Sequence, residues 1–185
     1  MTKRIMPVLA AGAIAATCLT APARAQGVKD LFGGPEVTRA VAVLQPTEGN
    51  KVAGTVTFTK TDKGIRVQAD VSGLTPGKHG IHVHEFGDAS SANGMAAGGH
   101  FNPHKREHGS PTAANRHVGD LGNIEADSAG HASFDLVDPA MGFSGATSIL
   151  GRSLVIHETA DDFRQPSGDS GNRLAVGVIG ISREK

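Results

Sequence analysis

The segment Gly64-Ile-Arg-Val-Gln-Ala-Asp-Val71 alternates apolar and polar residues without a break, and a period of two is the mark of a strand with one buried face. Short β-branched runs recur along the whole chain. They are Thr38–Gln45, Lys51–Thr59, His79–Glu85, Leu121–Ala126, His131–Val137, Ser153–His157 and Arg173–Ile181. Turn-forming clusters at Pro46–Asn50, Thr61–Gly64 and Ser72–Gly77 punctuate the early runs, in a chain with 25 glycines among 185 residues. Eight short strands and no long segment of helical period predict an all-β fold, an eight-stranded antiparallel Greek-key barrel or sandwich.

Two connections stand out by length, Gly87–Arg116 and Glu158–Asn172. Loops of that size inside a compact domain usually carry function, and these hold or adjoin nearly all of the histidines.

The chain starts with Lys3 and Arg4, an uncharged apolar run from Ile5 to Leu19, and Ala23-Arg24-Ala25. That is the pattern of an export signal cut after Ala25, with Ala21-Pro22-Ala23 as a second site. The run is shorter than the roughly 20 residues that span a bilayer, and Pro7 interrupts it. The expected organisation is a signal over 1–25, a flexible lead-in over 26–36 and one domain over 37–185, in a bacterial protein that is periplasmic or secreted. The single cysteine, Cys18, lies within the signal, and Ala15-Ala16-Thr17 before it is a poor match to a lipid-anchor site. A mature chain without thiols must be stabilised by its core and by whatever metals it binds. The signal takes three of the 18 basic side chains and none of the 18 acidic ones. The remainder is acidic by about three charges, which argues against nucleic acid and anionic membranes as partners.

The histidines form a connected pattern. His82 and His84 lie two apart on a predicted strand and so share a face. His157 ends another strand, and near-coplanar imidazoles converging there suit Cu(II). His100, His108, His117 and Asp120 offer three imidazoles and a carboxylate, a closed tetrahedral set for a structural Zn(II). His79, His104 and His131 fall outside the pattern and read as structural or solvent-facing residues, and Met95 reads as packing filler.

Five motifs in order carry a resemblance. They are Gly80-Ile-His-Val-His-Glu-Phe-Gly-Asp88, His100-Phe-Asn-Pro103, His117-Val-Gly-Asp-Leu-Gly-Asn123, Gly151-Arg-Ser-Leu-Val-Ile-His-Glu158 and Asn172-Arg-Leu-Ala-Val-Gly-Val-Ile-Gly180. From Thr38 onward the chain resembles the Cu/Zn superoxide dismutases. The resemblance implies copper bound by His82, His84, His100 and His157, and zinc by His100, His108, His117 and Asp120, with His100 as a bridging imidazolate. It implies that Asp161 links His82 to His108 and that Arg173 docks superoxide. It further implies alternation between Cu(II) and Cu(I) that yields dioxygen and hydrogen peroxide, His100 passing a proton, and a positive potential steering the anion inward. Gly87, Ile149–Gly151 and Val178–Ile181 resemble the dimer contacts of eukaryotic-type members, which implies a homodimer.

Two departures from the family are visible. Its intraloop disulfide is absent: Val176 stands at one cysteine position, and Ala92–Met95 cover the other. The second loop is short and lacks an acidic pair and a lysine, leaving Arg164 as the candidate for that charge. A copper-binding or copper-delivery module with little turnover is the alternative reading, and Arg173 argues against it. A zinc-only structural protein leaves His82, His84 and His157 without a purpose.

Overall fold

The computed structural model describes residues 36–183, so the expected signal with Cys18, and all of the lead-in but Glu36, lie outside the described residues. From Val37 onward the chain forms one compact unit. Its strands are β1 (Arg39–Pro46), β2 (Ala53–Thr61), β3 (Gly64–Ser72), β4 (Gly77–His84), β5 (Asp120–Ala126), β6 (Ala132–Asp138), β7 (Ser153–His157) and β8 (Arg173–Ile181). They close into a barrel in the order β1-β2-β3-β6-β5-β4-β7-β8, with every ladder antiparallel. The connections from β3 to β4 and from β6 to β7, which join strands that are not neighbours, are the Greek-key crossings. Closure removes the free strand edges that would otherwise template aggregation. The only helical pieces among the described residues are two single 3-10 turns, Met95–Ala97 and Gly145–Thr147.

The alternation in β3 is borne out: Ile65, Val67, Ala69 and Val71 point into the core, and the residues between them face out. Ala40, Ala42 and Leu44 of β1, Val56 and Phe58 of β2, Leu121 and Ile124 of β5, and Leu154 and Ile156 of β7 fill the same interior. A buried aliphatic side chain contributes about 1.5–3 kcal/mol, and this one contiguous cluster replaces disulfides as the source of stability.

β4 and β7 behave differently. From His79 to His84 every residue is buried, as is every residue of β7. Ile81 and Val83 belong to the core, so Gly80, His82 and His84 lie on the barrel's outer face and are buried by the loops that cross it. The 85–119 connection is laced onto β4: Val83 N–H donates to Gly119 O at 2.9 Å, Phe101 N–H to Val83 O at 2.8 Å, and Glu85 N–H to Gly99 O at 2.8 Å. The second long loop is tied down where Gly80 N–H donates to Thr159 O at 2.8 Å.

A third long connection, residues 139–152, joins β6 to β7. Its apolar residues Met141 and Ile149 are buried in the barrel core.

Candidate metal centre

Register brings the ligand candidates together. A bulge between Gly80 and His82 sets His82 opposite Asp120 across the β4–β5 ladder. His157 faces Arg173 across β7–β8, at another irregularity. His84 and His100 form an isolated antiparallel bridge. Two groups of four donors result, His82, His84, His100 and His157 in one and His100, His108, His117 and Asp120 in the other, each with its donor atoms within 4.8 Å of one another. His100 belongs to both.

Asp120 organises the second group. Its Oδ1 has three imidazole Nδ1 atoms around it, from His100 at 3.0 Å, His108 at 3.0 Å and His117 at 3.1 Å. A tetrahedron with metal–donor bonds of about 2.0–2.1 Å has edges of roughly 3.3 Å, so the three edges that meet at Oδ1 are already close to that length. The other oxygen, Oδ2, is committed to the backbone, accepting from His117 N at 2.8 Å and Gly109 N at 3.1 Å. Burial opposes the Asp120 charge, but the His100, His108 and His117 imidazoles around it hold its carboxyl far below the usual range.

Hydrogen bonds to the far side of each ring decide which nitrogen is free. Asp161 receives Nε2 of His82 at 2.9 Å on one oxygen and Nε2 of His108 at 2.9 Å on the other. The Nδ1 atoms of both rings are thereby left buried and without a hydrogen-bond partner. His84 turns Nδ1 toward the Gly98 carbonyl at 2.9 Å, which requires the proton on Nδ1 and leaves Nε2 bare, 3.2 Å from Nε2 of His157. Orphaned, converging imidazole nitrogens are costly unless something binds them. They fit a metal ion in each group. His82, His108 and Asp161 also lie close enough to form a third donor set, but there the carboxylate already accepts both Nε2–H groups, so we assign it to orientation.

Burial, the largest cause in each case, pushes His82, His84 and His157 below the ordinary histidine pKa, and His100 down to about 4. These rings are neutral, as metal ligands must be. In His108 burial acts the same way, but the Asp120 and Asp161 carboxylates outweigh it and raise the pKa to about 9.

His84, His100 and His157 of the first group form part of the wall of an open cleft of about 540 Å³, reached past Thr47, Asn93, Met95, Asn172 and Arg173, with His82 buried behind them. The Arg173 guanidinium is anchored by Nη1 to Gly94 O and by Nη2 to Gly98 O, each at 2.6 Å. Both groups are largely buried, but apart from the shared His100 no residue of the second group lines this cleft. One site is thus open to a small anion and the other closed.

The family model described as "Copper/zinc superoxide dismutase (SODC)" matches residues 52–179. The chain belongs to the Cu/Zn superoxide dismutase family. It is similar to the "Extracellular superoxide dismutase [Cu-Zn]" of Caenorhabditis elegans, 43% identical over 162 residues, 81% of this chain and 72% of the relative. The protein of the same name from Brugia pahangi is 43% identical over 153 residues, 77% of this chain and 76% of the relative. The solved structure "Crystal Structure Analysis of the clock protein EA4" matches with a TM-score of 0.74 at 43% identity, covering 81% of this chain and 99% of that one. Members of this Cu/Zn superoxide dismutase family bind copper and zinc, which agrees with the two donor sets.

Several sequence expectations need correcting. Met95 is not filler, because it is 59% exposed at the rim of the cleft. Arg164 is paired with Asp162 at 3.0 Å and does not line the cleft. The charged side chains that line the cleft are Glu48, Glu158, Asp169 and Arg173, so the lining itself carries no positive excess. Ile149 is fully buried in the core, and only Gly151 of the Ile149–Gly151 segment is exposed.

His79 is structural, as expected, with its two nitrogens 2.9 Å from the carbonyls of His157 and Thr75. His131 pairs with Asp70 on the surface, and His104 is exposed and joins neither donor group.

The structure also narrows the missing disulfide. A Cβ built on Gly94 would lie 2.7 Å from Cγ2 of Val176, which puts Gly94 at the second cysteine position. With φ at +73°, glycine is favoured there. Asn123 was not singled out in the sequence, yet it grips the Asp161 backbone, donating to its O at 3.0 Å and accepting from its N at 2.7 Å. A short polar residue in a strand gives no sign of such a long-range role.

Proposed function

We propose that this chain converts superoxide to dioxygen and hydrogen peroxide, with a catalytic copper and a structural zinc. Copper would take Nδ1 of His82 and Nε2 of His84, His100 and His157. Zinc would take Nδ1 of His100, His108 and His117 together with Oδ1 of Asp120. The observation that carries the reading is His100, whose Nδ1 lies in the zinc set while its ring packs 4.0 Å from that of His82 in the copper set. Copper, when bound, supplies a one-electron couple that accepts an electron from one superoxide and returns it to the next.

The protein's own residues supply the rest. Two N–H groups of Arg173 are committed to carbonyls, and the residue lines the cleft, where its remaining donors would hold the anion by charge-assisted hydrogen bonds. Nε2 of His100 is the atom that takes up and releases the proton passed to the product. Asp161 fixes the rings of His82 and His108 against each other.

We read residues 1–25 as an export signal cut after Ala25, 26–36 as a lead-in and 37–185 as the catalytic domain. Relatives named as extracellular enzymes support export to the periplasm or the medium. Val43 and Val178, at neighbouring outward positions of β1 and β8, are 54% and 43% exposed, and Gly87 packs on Gly151 O and beside Val178, an apolar patch suited to a homodimer.

Metal analysis alongside a superoxide-consumption assay tests the function. One copper and one zinc per chain with rapid turnover is the expected result. Copper bound without turnover would replace this reading with storage or delivery.

A further inference from the structure

The second long loop closes over the zinc set at one turn. Gly168 N–H donates to Arg164 O at 2.7 Å, and Asp162 N–H donates to Gly168 O at 3.0 Å. A Cβ at Gly168 would collide with Asp161 Oδ1 and lie 2.8 Å from His108 Nε2. The turn therefore rests directly on the Asp161–His108 pair. Gln165, within it, reaches 57 residues back along the chain. Its Oε1 accepts from His108 N–H at 2.9 Å, and its Nε2 donates to His108 O at 2.8 Å.

We infer that Gln165 is a positioning residue for His108, holding this ligand in register with the zinc set in a chain that lacks the loop disulfide. The inference rests on the metal assignment proposed above. The primary amide is suited to the task because it offers a donor and an acceptor side by side, matching the N–H and C=O of one residue as a strand partner would. His108 is buried and sits within a 35-residue connection between β4 and β5, so its backbone has a long segment on either side through which to drift. With the backbone clamped by Gln165 and Nε2 clamped by Asp161, Nδ1 is left 3.0 Å from Asp120 Oδ1 with no hydrogen bond of its own. Gln165 is itself exposed, so water can replace its two bonds when it is removed. Loss of the latch should consequently cost geometry more than stability.

Gln165→Ala and Gln165→Glu test this in the full-length purified protein. Glutamate keeps an acceptor for His108 N–H but sets an oxygen against His108 O, so it retains half of the latch. The readouts are zinc dissociation by chelator competition, the visible spectrum of Co(II) substituted for zinc, and thermal denaturation of the metal-free protein. We expect Gln165→Ala to weaken zinc binding roughly 10- to 100-fold, the usual effect of losing a ligand-orienting contact. Gln165→Glu should fall between it and the parent, the Co(II) bands should shift, and the metal-free melting temperature should move little. Parent-like zinc affinity and Co(II) spectrum in Gln165→Ala would overturn the latch. A parent protein that gives no tetrahedral Co(II) spectrum would overturn the metal assignment instead, so the two failures are distinguishable.

Discussion

His84 and Arg173 share one acceptor: the Gly98 carbonyl oxygen stands 2.9 Å from His84 Nδ1 and 2.6 Å from Arg173 Nη2. A copper-ligand candidate and the anion-binding candidate are thus tied to the same peptide group. Nη1 holds Gly94 O as well, so the loop segment that lacks a disulfide is fastened by the arginine it would otherwise have steadied.

Arg173→Ala should therefore slow superoxide turnover about 10- to 100-fold, from losing charge-assisted hydrogen bonds worth about 1.5–3 kcal/mol. Copper content should be unchanged, because Arg173 belongs to neither donor group. Arg173→Lys should recover only part of the rate, since a point charge cannot fork to two carbonyls and still face an anion. Turnover by rapid mixing with copper content by mass spectrometry checks this, and copper loss in Arg173→Ala would show that the residue holds the site rather than the substrate.

The rim charges make a second test. An incoming anion passes Glu48 and Asp169 as well as Arg173. Glu48→Gln and Asp169→Asn remove repulsion at nearly constant shape, so each should raise kcat/KM by a few-fold at low salt. The gain should fade as the screening length falls from about 10 Å at 0.1 M to about 3 Å at 1 M. A slower reaction in both variants would mean that these carboxylates assist the anion by ordering the loop.

How much of this could be read from the sequence follows from the range of each interaction. β3 was legible because its alternation is local, and so was the pairing of His82 with His84, since a two-residue step fixes a common face. The split of the ligands around His100 was legible through motif order. Gln165, Asn123 and Gly98 were not, because each acts through an amide or carbonyl on a partner far along the chain, and such contacts depend on closure of the barrel. The exposure of Met95 and the burial of Ile149 depend likewise on how the loops lie.

Arg116 and Asp138 form a buried pair at 2.7 Å, and Arg116 Nη1 also donates to His117 O at 2.9 Å. Burial raises the Asp138 pKa despite the arginine beside it, so desolvation is costly here and orientation of the zinc loop is the better account of the pair. Breaking it with Asp138→Asn should cost about 3–5 kcal/mol. Combining Arg116→Met with Asp138→Leu should restore part of the stability, since Asp138 Oδ1 also accepts from Ala140 N and Met141 N, but not the zinc affinity, because His117 O stays unheld. Thermal melts with zinc titrations decide between them: zinc affinity that recovers with stability would make the pair a packing element only.

His108 sets the pH dependence. In the metal-free protein its pKa is raised to about 9, above the unfolded value of about 6.5. A raised pKa means that the folded state binds the proton more tightly. Its contribution to stability is complete below about pH 6.5 and is lost as pH rises through about 9. Zinc competes with that same proton for the ring, so its affinity should climb over the same interval by up to tenfold per pH unit. Asp120 and Asp161 are held far below the range and stay ionised throughout, while His100, at about 4, is already neutral. The gap in melting temperature between zinc-loaded and metal-free protein should accordingly widen from about pH 6.5 to about pH 9. Paired melts across that range, with proton release measured on zinc addition, test it. A gap that narrows, or zinc uptake without proton release at neutral pH, would show that Asp120 and Asp161 do not keep His108 charged.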